Sequence, residues 1–294
     1  MRPHALALLS TLLVLHSAQA WAQPVKPKRV ARLATSLNET SGLLVAGGTV
    51  WTQLDGGHPH RLFQVDTLTG AVLREVEIAN AANTDWEDIC TDGRWVFVGD
   101  FGNNNGNRRD LRIYRFPLAA LLSPGVASVI ADTIRFAYAD QVDFTPAPKA
   151  TNFDCEAFVA VADSLFLFTK QWNEGRTTLY ALSALPGDQL AVRRATLDTR
   201  GLVTGATRDP ATGALALVGY TRCLYSPFVW TFSGYPGHAF FVGTAARHAI
   251  RRPFMQMEAI AWNPAQSVFL TNERSPFRRA RLRQLQLDVP LLGP

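Results

Sequence analysis

A strand-turn-strand pattern that recurs five times constrains this chain more than any other feature. Each copy opens with a polar or acidic residue, then a small or acidic one, then an apolar strand. The copies start at Ser41-Gly42-Leu43, Glu87-Asp88-Ile89, Glu156-Ala157-Phe158, Thr204-Gly205-Ala206 and Glu258-Ala259-Ile260. Their second strands finish at Asp55, Asp100, Lys170, Tyr220 and Glu273, which lie 14, 13, 14, 16 and 15 residues after the respective starts. Blocks such as Leu43–Trp51, Trp95–Gly99, Leu165–Thr169, Ala214–Tyr220 and Val268–Thr271 read as strands bounded by turn residues, and no long window holds a helical period. The chain is therefore expected to be all-β, and short hairpins at regular spacing point to a β-propeller.

A third strand follows in each copy, as in Arg61–Val65, Leu111–Phe116, Thr177–Leu182, Phe228–Phe232 and Arg281–Leu287, and a fourth is legible in Val72–Ile78, Thr133–Tyr138 and Val192–Leu197. Four strands make a propeller blade. The starts are spaced by 46, 69, 48 and 54 residues, so Ala127–Pro148 reads as an insertion between the second and third blades. The last copy has no fourth strand of its own, whereas Arg29–Ala34 is a strand without a blade. The pattern predicts five blades, with the N-terminal strand closing the ring and removing an open edge; six blades of about 45 residues are the alternative.

Ahead of the repeats, Met1-Arg2-Pro3-His4 is a short basic start, followed by an apolar stretch of 14 residues from Ala5 to Ala18 and small-residue sites at Ala18-Gln19-Ala20 and Ala20-Trp21-Ala22. A membrane span needs about 20 apolar residues, so residues 1–22 read as a cleaved secretory signal and 23–294 as one propeller domain. An exported monomer, periplasmic or extracellular, without an integral membrane segment, is expected. The chain carries 29 Lys and Arg against 24 Asp and Glu, with no basic run longer than two. That dispersion reads as a solvated surface, and no nucleic-acid partner is expected.

Propeller geometry locates the chemistry. The innermost strand of a blade crosses from one face to the other and the second returns, so the start of the first and the end of the second share a face. This places Glu87, Glu156 and Glu258, with Ser41 and Thr204 at matching positions, around one channel mouth beside Asp55, Asp100, Lys170, Tyr220 and Glu273. Asp85 and Asp154 precede a Glu by two residues and point the same way. Converging carboxylates persist only if protonated, paired or bound to a cation. Three readings follow: Glu87, Glu156 and Glu258 as ligands of Ca²⁺ or another divalent cation, the same residues as structural caps, or direct acid/base catalysis. Zinc is disfavoured for want of His and Cys at ligand spacing.

Lys170, with His58 a candidate catalytic residue, is placed to face an anionic group of a small-molecule ligand, and Asp55, Asp100, Tyr220 and Glu273 to line its site. His58 and His60 are the histidines nearest the mouth, His58 being the candidate general base; His238 and His248 read as structural. The run from Asp100 to Asp110 (DFGNNNGNRRD) reads as an ordered loop shaping the pocket, with Arg108 and Arg109 solvated. Of three cysteines, Cys155 and Cys223 fall on one face of adjacent blades and are the one pair proposed for a disulfide. Cys90 reads as a buried small apolar residue.

Thr84-Asp85-Trp86-Glu87-Asp88-Ile89, Gly99-Asp100-Phe101-Gly102-Asn103-Asn104, Asn152-Phe153-Asp154-Cys155-Glu156-Ala157, Phe168-Thr169-Lys170 and Gln256-Met257-Glu258-Ala259-Ile260 resemble segments of secreted bacterial propeller-like proteins of unassigned activity. More distantly, the chain looks like the SdiA-regulated, phytase-like and gluconolactonase-type propellers. That resemblance implies a divalent cation among the mouth carboxylates, and with it metal-assisted hydrolysis of a lactone or phosphoester. The other class of function is a non-catalytic envelope or protein-interaction scaffold whose carboxylates are structural.

Overall fold

The structure is a computed structural model that describes residues 19–287. Strands β1 (Gln19–Val25) and β2 (Lys28–Arg32) precede the repeats. The first repeat is the antiparallel run β3 (Thr40–Ala46), β4 (Thr49–Leu54), β5 (Arg61–Val65) and β6 (Val72–Ile78). The second is β7 (Trp86–Thr91), β8 (Trp95–Asp100) and β9 (Arg112–Pro117). After the short helix α1 (Leu118–Leu122) and the two-residue β10 (Ser128–Val129), it is completed by β11 (Asp132–Tyr138). The third is β12 (Asp154–Val161), β13 (Ser164–Lys170), β14 (Arg176–Ser183) and β15 (Gly187–Asp198). The fourth is β16 (Leu202–Arg208), β17 (Leu215–Tyr220), β18 (Pro227–Ser233) and β19 (Thr244–Ile250); the last is β20 (Met257–Asn263), β21 (Ser267–Asn272) and β22 (Arg281–Gln286).

These strands form four hydrogen-bonded sheets, because β11 pairs in parallel with β15 and merges the second and third repeats into eight strands. At other edges β1 runs parallel to β19, β10 parallel to β6, and β2 antiparallel to β22, with Arg29 opposite Arg283 and Arg32 opposite Arg281. The first strands pack side by side in a cycle, β3 on β7, β7 on β12, β12 on β16, β16 on β20 and β20 on β3. Sheets radiating from a ring of inner strands define a β-propeller. The apolar core lies between successive sheets, as where Phe101, Phe136 and Phe158 meet edge to face.

The ring explains the small second residue of four of the five repeats, Gly42, Ala157, Gly205 and Ala259. A Cβ on Gly205 would sit 2.9 Å from the carbonyl oxygen of Glu258 in the next inner strand, and one on Gly42 would meet the backbone nitrogen of Ile89 at 2.7 Å. Asp88, with no exposure, fills the axis at that level. Its Oδ1 accepts the N–H of Ile89 at 2.9 Å, and its Oδ2 accepts those of Phe158 at 3.2 Å and Ala206 at 3.3 Å. One carboxylate thus ties β7 to β12 and β16. On its far side the inner hairpin turns surround a second cavity of about 540 Å³, onto which Cys90 opens.

Three expectations need correction or qualification. Leu43–Trp51 is not one strand but the hairpin of β3 and β4, turned at Gly47 and Gly48 with φ of +55° and +73°, a left-handed pair suited to glycine. The Cys155–Cys223 disulfide is absent: Cys155 is buried with its Sγ toward the Ala157 and Phe168 carbonyls, Cys223 is exposed, and both are free thiols. The expected leader over residues 1–22 lies mainly outside the described residues, and β1 begins inside its last part. No helix among the described residues is long and apolar enough to cross a membrane.

Candidate functional site

A cavity of about 440 Å³ opens at the mouth where the inner strands begin. Ser41, Glu87, Glu156 and Glu258 reach it from the starts of β3, β7, β12 and β20, while Asp55, Lys170, Tyr220 and Glu273 reach it from the ends of second strands. Thr204 stays outside, buried and donating its hydroxyl to the Met257 carbonyl at 2.6 Å. His58 is not part of the lining either: its Nδ1 lies 3.0 Å from the Asp55 carbonyl oxygen and its Nε2 3.5 Å from Glu39, while His60 meets Glu77 farther out.

At the wall of the cavity formed by Asp55 and Glu87, the chain brings together a carboxylate set that spacing alone did not single out. Asp55, Asp85 and Glu87 each offer an oxygen within 4.8 Å of the others. Asp85 is held by its backbone N–H, which donates to Asp100 Oδ1 at 3.0 Å. Glycines let two loops close over the set: a Cβ on Gly102 would collide with Glu87 Oε1 and Asp85 Oδ2, and one on Gly56 would approach Asp85 Oδ1 to 2.8 Å. Burial, then the Asp55 and Asp154 charges, push the Asp85 carboxyl up to about 7. Burial and the neighbouring Glu156, Asp55 and Asp85 charges carry Glu87 well above the usual carboxylate range. An all-oxygen donor set of this kind suits a hard cation such as Ca²⁺.

The opposite wall is cationic and aromatic. Lys170 Nζ sits 2.8 Å from Glu156 Oε1, 4.5 Å from the Trp172 ring centre and 5.8 Å from that of Tyr220, with both members of the ion pair buried. Burial alone would discharge the lysine, but Glu156 and the other carboxylates around it outweigh that cost, so it stays an ammonium. Glu156 therefore differs from Glu87, since its charge already has a partner. Trp172 Nε1 donates to Asp154 Oδ2 at 2.6 Å, its carbonyl accepts Arg222 at 2.6 Å, and Lys149 lies 5.4 Å from its ring centre.

Asp100 and Arg108 depart from their expected roles. Asp100 is fully buried behind the mouth, where Arg108 meets its Oδ1 at 3.0 Å, so it positions Asp85 instead of facing the cavity. Arg108 is mostly buried and also donates to the Gly102 carbonyl, so it is no solvated arginine. The asparagine loop is held from outside: Ala147 of the insertion and Lys149 just past it donate backbone N–H groups to the Asn105 and Asn104 carbonyls. That contact brings Lys149 and Asn104 to the mouth. Sequence reasoning missed Lys149, Trp172, Arg222 and Tyr225, yet Trp172 stands only two residues past Lys170 in the interval that returns along the mouth.

The raised carboxyls have a consequence for stability. Asp85 and Glu273, the latter raised to about 7 by burial and the Asp55 charge, ordinarily titrate at 3.8 and 4.5. The folded protein therefore retains protons that the unfolded chain has released. The stability this contributes is full below about pH 4 and is lost as the pH rises through about 7, on the order of 5 kcal/mol for the pair after screening by solvent. Denaturant midpoints should accordingly be higher at about pH 5 than at about pH 8 without added cations. Equal midpoints would show that the carboxyls are not strained.

No known protein family matches this sequence, and no curated protein is significantly similar to it. Solved structures that superpose on it include a Kuenenia stuttgartiensis hydrazine synthase at TM-score 0.40 and 10% identity; the match covers 84% of this chain and 59% of that one. A glucose dehydrogenase superposes at TM-score 0.49 and 8% identity over 87% and 99% of the two chains. The β-propeller domain of Cps50 (Swd1) from Myceliophteria thermophila does so at 0.43 and 10% over 89% and 99%. The present chain spans about three fifths of the hydrazine synthase chain.

Proposed function

We propose that this chain is a five-bladed propeller, its ring closed by β2 against β22, that binds a divalent cation and a small polar ligand at the carboxylate-lined mouth. The observation that carries the reading is the Asp55, Asp85 and Glu87 set, three carboxylates within 4.8 Å of one another, of which Asp55 and Glu87 line a cavity of about 440 Å³. Glu156 and Glu258 of the expected ligand set become neighbours of the cation site, Glu156 being neutralised by Lys170. Lys170 and Arg222 supply positive charge toward an anionic ligand group, and Trp172 and Tyr220 supply flat faces beside it. A cation held there would polarise a lactone or phosphoester oxygen, which makes metal-assisted hydrolysis the reaction to test. Export, as the basic and apolar start implies, belongs to the same proposal.

The test is thermal unfolding near neutral pH with calcium or with chelator. Calcium at about a hundred times its Kd should add roughly 2.7 kcal/mol, chelator should remove that gain, and Asp85→Asn should abolish most of it. A melting curve indifferent to calcium in the wild type would refute the cation site. Turnover of a panel of lactones and phosphoesters then decides between enzyme and binder. The buried pairings of Asp154 with Trp172 and of Glu156 with Lys170 favour a scaffold as the second reading, and calcium indifference combined with an inactive panel would select it.

A further inference from the structure

The basic residues that look dispersed along the chain are gathered by the last sheet. Arg29 on β2 faces Arg283 on β22, and Arg32 faces Arg281, two like-charged pairs directly across a ladder that ordinarily disfavours them. Arg252, Arg278 and Arg279 stand close enough to Arg281 for their charges to depress its proton affinity. Among the described residues none of these seven arginines forms an ion pair with a carboxylate. At their centre Arg283 is only 3% exposed, and its Nε has no acceptor. Among the described residues its guanidinium has one polar contact, Nη2 to the Met255 sulfur at 3.5 Å. Burial and the surrounding arginines bring this guanidinium down to about 10. A buried cation without an anion is costly, and a ligand that brings negative charge relieves it.

Beside this patch the chain exposes apolar side chains that folding would otherwise cover. Leu224, Tyr225, Phe254 and Phe277 are 55%, 46%, 44% and 77% exposed. They are contiguous: Phe254 N–H donates to the Leu224 carbonyl, Met255 N–H to that of Tyr225, and the Phe254 and Phe277 rings lie 6.2 Å apart. Leu224, Tyr225 and Phe254 have left-handed backbones with φ of 60°, 44° and 60°, a conformation that disfavours bulky residues. Apolar tips rimmed by arginines that have no carboxylate partner among the described residues match a surface that is negatively charged outside and hydrocarbon beneath. The aliphatic Leu224 offers no stacking face and the two phenyl rings are inclined by 52°, so a nucleic-acid base would not slot between them.

We propose that this face, Arg29, Arg252, Arg278, Arg279 and Arg281 around the buried Arg283, with Phe254 and Phe277 at its tip, docks on an anionic phospholipid surface, the accessible arginines meeting headgroup phosphates and the rings entering the acyl boundary. Because Tyr225 belongs both to this tip and to the lining of the mouth cavity, docking turns the mouth toward the lipid.

Flotation of the full chain with phosphatidylcholine vesicles, with and without phosphatidylglycerol, tests the proposal. Binding should require phosphatidylglycerol and weaken with salt. It should fall roughly fivefold for each of Arg278→Gln and Arg279→Gln, and fall with Phe277→Ser, while Arg194→Gln on an outer strand of another sheet leaves it unchanged. All four substitutions lie away from the buried core, and melting curves check that each variant is folded. Tryptophan emission of a Phe277→Trp variant should shift to the blue only on anionic vesicles. Failure to float at low salt, equal binding to neutral vesicles, or variants that bind as wild type would overturn it. So would stabilisation by inorganic phosphate without vesicle association, or preference for a DNA duplex over vesicles.

Discussion

Lys170→Met should destabilise the protein by about 3–5 kcal/mol, seen as a drop in melting temperature on the order of 10 °C. The lysine and Glu156 are 6% and 4% exposed and 2.8 Å apart, so removing the cation strands a carboxylate among Asp154, Glu258 and Glu87. Two further measurements separate this cause from lost packing. Glu156→Gln in the Lys170→Met background should restore much of the loss, because a neutral pair of similar volume carries no uncompensated charge. Lowering the pH should also restore stability, since Glu156 is already raised by burial and takes a proton readily once the lysine is gone. A Lys170→Met protein that melts like wild type at about pH 8 would show that the pair does not carry the wall of the cavity.

Asp88→Ala should cost on the order of 4 kcal/mol, with Asp88→Asn costing clearly less. The alanine variant leaves the Phe158 and Ala206 N–H groups without acceptors in a region closed to water. An asparagine oxygen can serve both, and its amide nitrogen then faces only the adjacent Ile89 N–H. Urea denaturation of both variants measures the difference; equal midpoints would mean that the axis tolerates unpaired N–H groups. The repeat itself contains the reason for this residue. Gly42, Ala157, Gly205 and Ala259 occupy the corresponding positions, all too small to reach across, and Asp88 alone carries an acceptor to the neighbouring strands.

Strand spacing carried most of the architecture because a period of two and a return turn determine which ends share a face. That is why eight of the residues expected at the mouth line it. Asp100 and Thr204 have the right register but a different fate, one turned back by Arg108 and the other spent on the Met257 carbonyl. Register fixes which face a residue takes, whereas burial and partners depend on residues elsewhere in the chain. The cation set shows the same limit: Asp85 was assigned to the mouth, but its approach to Asp55 depends on Gly56 and Gly102 clearing space in two loops. The arginine face was invisible for a related reason. Its members come from residues 29 to 283, and the pairing of β2 with β22 is what brings Arg29 and Arg32 to Arg283 and Arg281.

The parallel pairing of β11 with β15 gives the ring a mechanical asymmetry. Two sectors are laced together at their outer rims as well as along the axis, and Asp88 binds a third to them from within. The sheets that begin with β3 and β20 are joined to their neighbours by shorter links: the two-residue β10 on β6, the Ser41 hydroxyl on the Glu87 carbonyl and the Thr204 hydroxyl on the Met257 carbonyl. Thermal breathing is thereby steered toward one arc of the circle, the arc where β2 pairs with β22. That arc holds the arginine face, so a surface that grips those arginines also acts as a clasp on the least secured part of the ring.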